Sequence, residues 1–203
     1  MTSVQTFTAA ALAFAAQVRA IPESAWDGPG LGDWELRSLV GHTSRSLVTV
    51  SSYLRQPADR EDIASAAAYY AMVRDFTSNA GAAAIVERGR QAGRDLGDQP
   101  AAAVDTLLER ALDDLAAVDD PLIQVIGGMG IRLSNYLPTR VFELTVHGLD
   151  IARATGLTFE PPAAAVEEAT VLAARIAVAF GDGEQLLLAL TGRTELPRSF
   201  SVT

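Results

Sequence analysis

The sequence predicts an all-α protein, and three observations support this prediction. The hydrophobic fraction of 49% comes largely from alanine and leucine, which favour helices over strands. Apolar residues near the N-terminus recur at alternating spacings of three and four, the period of one helix face. Glycine and proline separate apolar segments that are each long enough to be a helix. We therefore expect a bundle of four or five principal helices.

The first two predicted helices flank a turn at residues 27–32 that is rich in glycine and proline. The first helix should end near Pro22. Asp33 is the expected N-cap of the second, which should run over residues 34–54. Both helices have an apolar face and should pack in the core. The residues that share the face of the first helix are Val4, Phe7, Ala11, Phe14, Val18 and Ile21.

The middle of the chain is predicted to be a helical scaffold. An alanine-rich segment covers residues 63–96, and a break is expected near residues 77–79. A further helix should run over residues 100–117, with Pro100 in its first turn.

Residues 121–137 contain three glycines and are expected to form an irregular connection. They lack the glycine patterns of phosphate-binding loops, so we expect no nucleotide site there. Pro138 should open a helix that Gly156 ends. A helix over residues 163–180 should follow, then a break at residues 181–183 and a short apolar helix that ends near Gly192.

The length and the connections predict one domain over residues 1–203. Its core should cover about residues 1–156, and a C-terminal helical extension about 157–203. No basic residue precedes the alanine-rich segment at residues 8–16, so we assign it to the first helix rather than to a signal peptide. No apolar span reaches membrane length, and a cytoplasmic location is expected.

The net charge and the absence of cysteine exclude several kinds of binding partner and of chemistry. The net charge of -9 would repel nucleic acid and anionic lipid, so neither is expected as a partner. The chain contains no cysteine, which excludes disulfides, thiolate metal ligands and a cysteine nucleophile of its own. Thiol chemistry would need an external thiol. A homodimer through an exposed, alanine-rich helix face is compatible with the composition.

A polar stripe lies on the predicted helix after Pro138. Arg140, Glu143, His147 and Asp150 follow one another at spacings of three, four and three, and therefore lie on one side of that helix. Apolar residues flank the stripe on both sides. Burial of ionisable groups is costly unless they are paired, hydrogen-bonded or bound to a metal. The stripe therefore requires a partner.

A divalent metal ion is the partner that these residues favour. Glu143 and His147 are one helical turn apart, so a carboxylate oxygen and an imidazole nitrogen can reach the same ion. His42 is the only other histidine, and it lies on the second helix among small hydroxylic residues. Two histidines and a glutamate are a ligand set of catalytic zinc, with a fourth position for water or a substrate atom. Without an ion, His42 would be an ordinary histidine and Glu143 with His147 a surface pair.

Two residues of the stripe are expected to lie beside the ion without being its ligands. Arg140 and Asp150 are candidates for orienting the ligands or forming salt bridges. Asp150 is the replacement oxygen ligand if Glu143 points elsewhere.

The order of these residues resembles a known family. Its elements are Trp34, Leu39, Val40 and His42, and about a hundred residues later Tyr136, Leu137, Arg140, Glu143, His147 and Asp150. This order is similar to that of the metal-binding domain of mycothiol-dependent maleylpyruvate isomerase, within the DinB-like superfamily, from the first helix to about Gly156. The resemblance implies a DinB-like four-helix bundle with additional short C-terminal helices. It also implies metal binding by His42, Glu143 and His147, with mycothiol as cofactor.

Three functions fit such a site. The first is a mycothiol-dependent S-transferase or isomerase-like enzyme, in which zinc binds the thiolate and the thiolate attacks an electrophilic small molecule. That molecule would lie between the bundle helices and a loop carrying Tyr136, the candidate cofactor-binding residue, with Asp150 and Arg140 as candidate catalytic residues. The isomerase has a further C-terminal domain that contributes to its active site, whereas this chain ends soon after Gly192, which favours transfer over isomerisation.

The other two functions use the same ligands. In a hydrolase, hydroxide would occupy the open position, and Asp150 or a water would assist proton transfer. A non-catalytic, metal-stabilised or metal-sensing bundle would have a closed coordination sphere with no adjoining cavity.

Overall fold

The computed structural model describes residues 1–80 and 82–202, and the all-α prediction is confirmed there. A two-stranded antiparallel hairpin, with Ile123 opposite Ile131, is the one sheet in this part of the chain. The helices are α1 (Ser3–Arg19), α2 (Leu36–Tyr53), α3 (Ala66–Ala80), α4 (Ala82–Asp95), α5 (Pro100–Ala116), α6 (Leu133–Thr155), α7 (Ala163–Ala179) and α8 (Gly183–Leu190). The strands are β1 (Leu122–Gln124) and β2 (Gly130–Arg132), and short 3-10 helices cover Glu23–Ala25 and Ile126–Gly128.

Four long helices form the central bundle. α1 and α2 each contact both α5 and α6, so the four helices close a ring around a shared core. Phe7 and Phe14 of α1 are fully buried there, as are Leu39 and Leu47 of α2. α4 packs on the outer side of α2, while α3 and α7 pack against α6. This is the DinB-like bundle, with α7 and α8 as the additional C-terminal helices.

The beginnings of α1 and α2 are capped in different ways. In α1, the hydroxyl of Thr2 accepts a hydrogen bond from the backbone of Gln5, whose side chain accepts one from the backbone of Thr2. In α2, the prediction of Asp33 as N-cap is wrong, because Glu35 occupies that position without a capping side chain. Backbone carbonyl groups of the preceding loop accept the first N–H groups of α2 instead: Leu36 donates to Gly28 and Arg37 donates to Trp26.

The alanine-rich segment is interrupted as predicted, two positions later than residues 77–79: α3 ends at Ala80 and α4 begins at Ala82. α2 and α4 approach so closely that a Cβ atom on Gly41 would lie 2.3 Å from the backbone nitrogen of Gly93. Glycine is therefore required at this contact.

The connection before α6 is more regular than expected. Residues 121–137 form the β1–β2 hairpin and the first turn of α6, which begins at Leu133 rather than at Pro138. Asp120 explains the early start, because its carboxylate accepts a 2.7 Å hydrogen bond from the backbone N–H of Ser134. Gly156 ends α6 as predicted, in the left-handed conformation (φ 71°). None of the described helices has the length and apolarity needed to span a bilayer.

Candidate metal centre

The packing of α2 against α6 brings His42, Glu143 and His147 together. One ligand atom from each lies within 4.8 Å of the other two. Oε2 of Glu143 is 3.7 Å from Nε2 of His42 and 3.3 Å from Nε2 of His147. The three side chains are between 16% and 25% exposed, so they are shielded but accessible to a small ligand. The cluster could hold a metal ion.

The donor atoms fit a divalent ion in both chemistry and spacing. Zinc bonds of about 2.1 Å in tetrahedral geometry place neighbouring ligand atoms about 3.4 Å apart. The two separations from Oε2 of Glu143, 3.3 and 3.7 Å, agree with that value. Nitrogen and carboxylate donors also suit other divalent transition metals, so the donor set specifies the class of ion.

Two residues hold the carboxylate of Glu143 and the ring of His147 in place. The hydroxyl of Tyr70 donates a 2.7 Å hydrogen bond to Oε1 of Glu143, which leaves Oε2 for the histidines. Oδ2 of Asp150 lies 3.1 Å from Nδ1 of His147, which leaves Nε2 for an ion. Hydrogen-bond partners behind the ligands are typical of metal sites, where they fix the ligand orientation. The orienting role of Asp150 stays a prediction.

Trp34 supports His42 from the opposite side. The two ring centroids are 4.6 Å apart, and the indole N–H donates a 2.9 Å hydrogen bond to the carbonyl of Val86. The indole also packs on Gly89, where a Cβ atom would lie 2.4 Å from the ring. α4 therefore positions Trp34, and Trp34 restricts the ring of His42.

The charges of the three side chains depend on one another. Burial opposes the charge on Glu143, but the neighbouring imidazoles of His147 and His42 hold the pKa of that carboxyl well below its usual range. Burial also disfavours the charged form of His147, yet Asp150 and Glu143 raise the pKa of this histidine to about 9. Burial lowers the pKa of His42 despite its contact with Glu143. Without an ion at neutral pH, Glu143 is a carboxylate, His147 is protonated and His42 is neutral.

The cluster lies between two cavities. The larger has a volume of about 480 Å³, and Trp34, Phe142, Phe180 and Val202 give it a mainly apolar wall. The smaller has a volume of about 180 Å³ and is lined by arginine and tyrosine side chains. His42, Glu143 and Tyr70 line both cavities. A small molecule in either cavity can therefore contact the cluster.

Arg140 lies on the side of the smaller cavity. Its Nε donates a 3.0 Å hydrogen bond to the hydroxyl of Thr139, and its guanidinium carbon lies 5.0 Å from the ring centroid of Tyr136. It forms no ion pair with any described carboxylate within 4 Å. Arg140 therefore lies beside the cluster, where its guanidinium group can contact a ligand in that cavity.

The prediction that Tyr136 lies on a loop is wrong. Tyr136 lies within the first turns of α6, is fully buried, and donates a 2.8 Å hydrogen bond to the hydroxyl of Thr49. The electrophile therefore cannot lie against a Tyr136 loop. A role for Tyr136 in cofactor binding stays a prediction.

Sequence reasoning missed Tyr70. It lies on α3, 73 positions before Glu143, in an alanine-rich segment that was assigned to the scaffold. The pair Tyr69 and Tyr70 was a signal, because a buried tyrosine hydroxyl usually needs a hydrogen-bond partner.

The chain matches a known protein family. Residues 7–152 match the family model of the mycothiol maleylpyruvate isomerase N-terminal domain. The match covers more than half of the 203 residues and contains all three candidate ligands as well as Tyr70 and Asp150. Among curated proteins and among solved structures, none matches the chain significantly. The chain therefore belongs to the mycothiol maleylpyruvate isomerase N-terminal domain family.

Proposed function

We propose that this protein is a mycothiol-dependent S-transferase, or an isomerase-like enzyme of the same chemistry, that joins the thiol to an electrophilic small molecule. His42, Glu143 and His147 would hold one divalent ion, with zinc as the ion expected. The observation that carries the proposal is the position of the cluster: three ligand atoms within 4.8 Å of one another lie between two cavities. Family membership supports mycothiol as the thiol.

The sulfur must come from a separate molecule, because the chain has no cysteine. A divalent ion bound at the cluster would supply positive charge that lowers the pKa of a thiol beside it.

The protein's own residues preorganise the cluster. Tyr70 holds Oε1 of Glu143, and Asp150 holds Nδ1 of His147. Trp34 packs on the ring of His42. These contacts fix the three ligand atoms before a ligand arrives, so little side-chain freedom is lost on binding.

The larger cavity suits the electrophile. Its mainly apolar wall can bind a hydrocarbon framework and exclude water, while His147 and Glu143 are at its edge. The thiolate would form a carbon–sulfur bond at the electrophilic carbon. With an epoxide, a carbon–oxygen bond breaks and the resulting alkoxide takes a proton; with a haloarene, halide leaves.

The two adjoining cavities favour this function over a purely structural metal site, which would have a closed coordination sphere.

A hydrolase would use the same ligands, and analysis of the reaction product distinguishes it from a transferase. A transferase yields a thioether, whereas a hydrolase yields a product of water addition.

The test is the rate at which the metal-loaded protein consumes mycothiol with an epoxide or a haloarene. Thioether formation should exceed the rate without protein, and both chelator and His147→Ala should abolish the acceleration. Asp150→Asn should slow the reaction roughly ten- to a hundredfold. If the metal-loaded protein neither binds mycothiol at millimolar concentration nor accelerates any thiol addition, the proposal is wrong.

A further inference from the structure

The smaller cavity combines positive charge with unpartnered hydrogen-bond donors. Arg45, Arg88 and Arg140 line it, and none of them forms an ion pair with a described carboxylate. Such a cluster is unusual on a chain with a net charge of -9, where acidic side chains outnumber basic ones. Glu143 is the one carboxylate among the lining residues, and both of its oxygens are engaged, by Tyr70 and by the histidines.

Tyr69 adds a donor that has no partner among the described residues. Its side chain is 6% exposed and lines the same cavity, yet its hydroxyl forms no hydrogen bond with any described residue. Burial raises the pKa of this phenol, so the hydroxyl keeps its proton and can donate it. Because Tyr69 lines the cavity, an acceptor atom of a ligand there can reach this hydroxyl.

Arg140 is held where it can meet the same ligand. Its guanidinium carbon lies 5.7 Å from the ring centroid of Tyr69 and 5.0 Å from that of Tyr136. Its Nε donates to Thr139, whereas its two terminal nitrogens form no hydrogen bond with any described residue and can bind a ligand. Terminal arginine nitrogens match a carboxylate through two parallel hydrogen bonds.

We propose that this cavity is a binding site for a carboxylate group, carried by a small molecule that reacts at the neighbouring metal centre. Arg140 and Tyr69 would bind the carboxylate directly, and Arg45 and Arg88 would add positive charge at the mouth. A volume of about 180 Å³ is below the usual range for a whole small-molecule ligand and suits one functional group with a few carbons. The reaction at the metal centre rests on the proposed function. Carboxylate binding does not, because it can be measured without catalysis.

The direct test compares the binding of succinate with that of the uncharged succinamide by calorimetry on the purified protein. Succinate should bind at least tenfold more tightly. Arg88→Gln and Tyr69→Phe should each weaken succinate binding about three- to tenfold, and Arg140→Gln by tenfold or more. Arg110→Gln is the matched control, because it removes the same charge from the exposed surface of α5 and should change the affinity less than twofold.

Two results would show that this cavity is not a carboxylate-binding site. One is a parent protein that binds succinate no better than succinamide. Another is unchanged succinate affinity in both Arg88→Gln and Tyr69→Phe, which would mean that the carboxylate binds elsewhere, including at the metal centre. These two variants change an exposed side chain and a single hydroxyl, so the test stands even if Arg140→Gln fails to fold.

A kinetic comparison identifies the molecule that carries the carboxylate. Chloronitrobenzoate and chloronitrobenzamide are a matched pair of electrophiles. If the carboxylate belongs to the electrophile, Arg88→Gln should lower kcat/KM about three- to tenfold more for the benzoate than for the benzamide. If the carboxylate belongs to the thiol, Arg88→Gln should raise the KM for the thiol with both electrophiles. Succinate binding without any thiol transfer would contradict the proposed function and leave the carboxylate site intact.

Discussion

The hydroxyl of Tyr70 donates a 2.7 Å hydrogen bond to Oε1 of Glu143, so the other oxygen of that carboxylate faces His42 and His147. Tyr70 is buried and its ring packs edge-on against Phe142, with centroids 5.5 Å apart. Burial raises the pKa of Tyr70 well above its usual value, so the phenol remains a hydrogen-bond donor. α3 thus orients a candidate ligand on α6.

Tyr70→Phe should weaken metal binding roughly ten- to a hundredfold, because Glu143 loses the contact that orients it. The phenyl ring preserves the packing against Phe142, so the helical circular dichroism should not change. Competition with a chromophoric chelator measures the affinity. Tyr53→Phe is the matched control, since it also removes one phenol hydroxyl but leaves the Tyr70 to Glu143 hydrogen bond in place. Equal affinities in the two variants would show that Tyr70 does not orient the ligand.

Asp150→Asn should lower the pKa of His147 in the metal-free protein. The carboxylate of Asp150, 3.1 Å from Nδ1, is the largest of the influences that raise this pKa to about 9 against burial. An amide lacks the negative charge, so the imidazolium loses stabilisation and the pKa should fall by about one unit or more. Titration of the His147 ring signals by NMR gives the value, and Asp182→Asn, which changes a carboxylate outside this hydrogen bond, is the control. A pKa that stays near 9 would mean that Asp150 does not hold the ring.

Metal binding should release about one proton per ion at pH 7 to 8, because the ion must displace the proton of His147. His42, whose pKa is lowered, and Glu143, whose pKa is held low, contribute little in this range. The apparent affinity should therefore rise with pH until about 9, the pKa of His147. Calorimetry in buffers of different ionisation enthalpy counts the protons. An affinity that is constant from pH 6 to 9 would contradict the predicted involvement of His147.

The metal-free protein should itself respond to pH. The pKa of His147 is raised on folding from 6.5 to about 9, so the protonated ring stabilises the folded state. This contribution to the free energy of unfolding is fully present below about pH 6.5 and is lost as pH rises through about 9. Urea unfolding of the chelated parent and of His147→Ala, compared at pH 6 and pH 9, measures it. A stability difference between the two proteins that is the same at both pH values would contradict the raised pKa.

Periodicity in the sequence was sufficient to predict the helices and the polar stripe. Spacings of three and four placed Phe7 and Phe14 on one face of α1, and both are fully buried. The same geometry placed Glu143 and His147 on one side of α6, where their ligand atoms are 3.3 Å apart. Such patterns are local, so they are readable without knowledge of the neighbouring helices.

Contacts between distant segments were not predictable in this way. Tyr70 reaches Glu143 across 73 positions, and nothing local to α3 indicates which of its tyrosines faces the site. The start of α6 depends on Asp120, which accepts the backbone N–H of Ser134 from the preceding segment, so Pro138 alone gave the wrong boundary. The arginine-lined cavity likewise combines side chains from α2, α4 and α6.

The metal content of the purified protein tests the central claim most directly. Elemental analysis of the parent should find about one divalent ion per chain after saturation and removal of excess metal. His42→Ala, Glu143→Ala and His147→Ala should each lose most of it, because three protein ligands cannot easily spare one. Arg110→Ala, on the exposed surface of α5, should retain it. Full occupancy in all three ligand variants, or a parent that binds no divalent ion, would contradict the account.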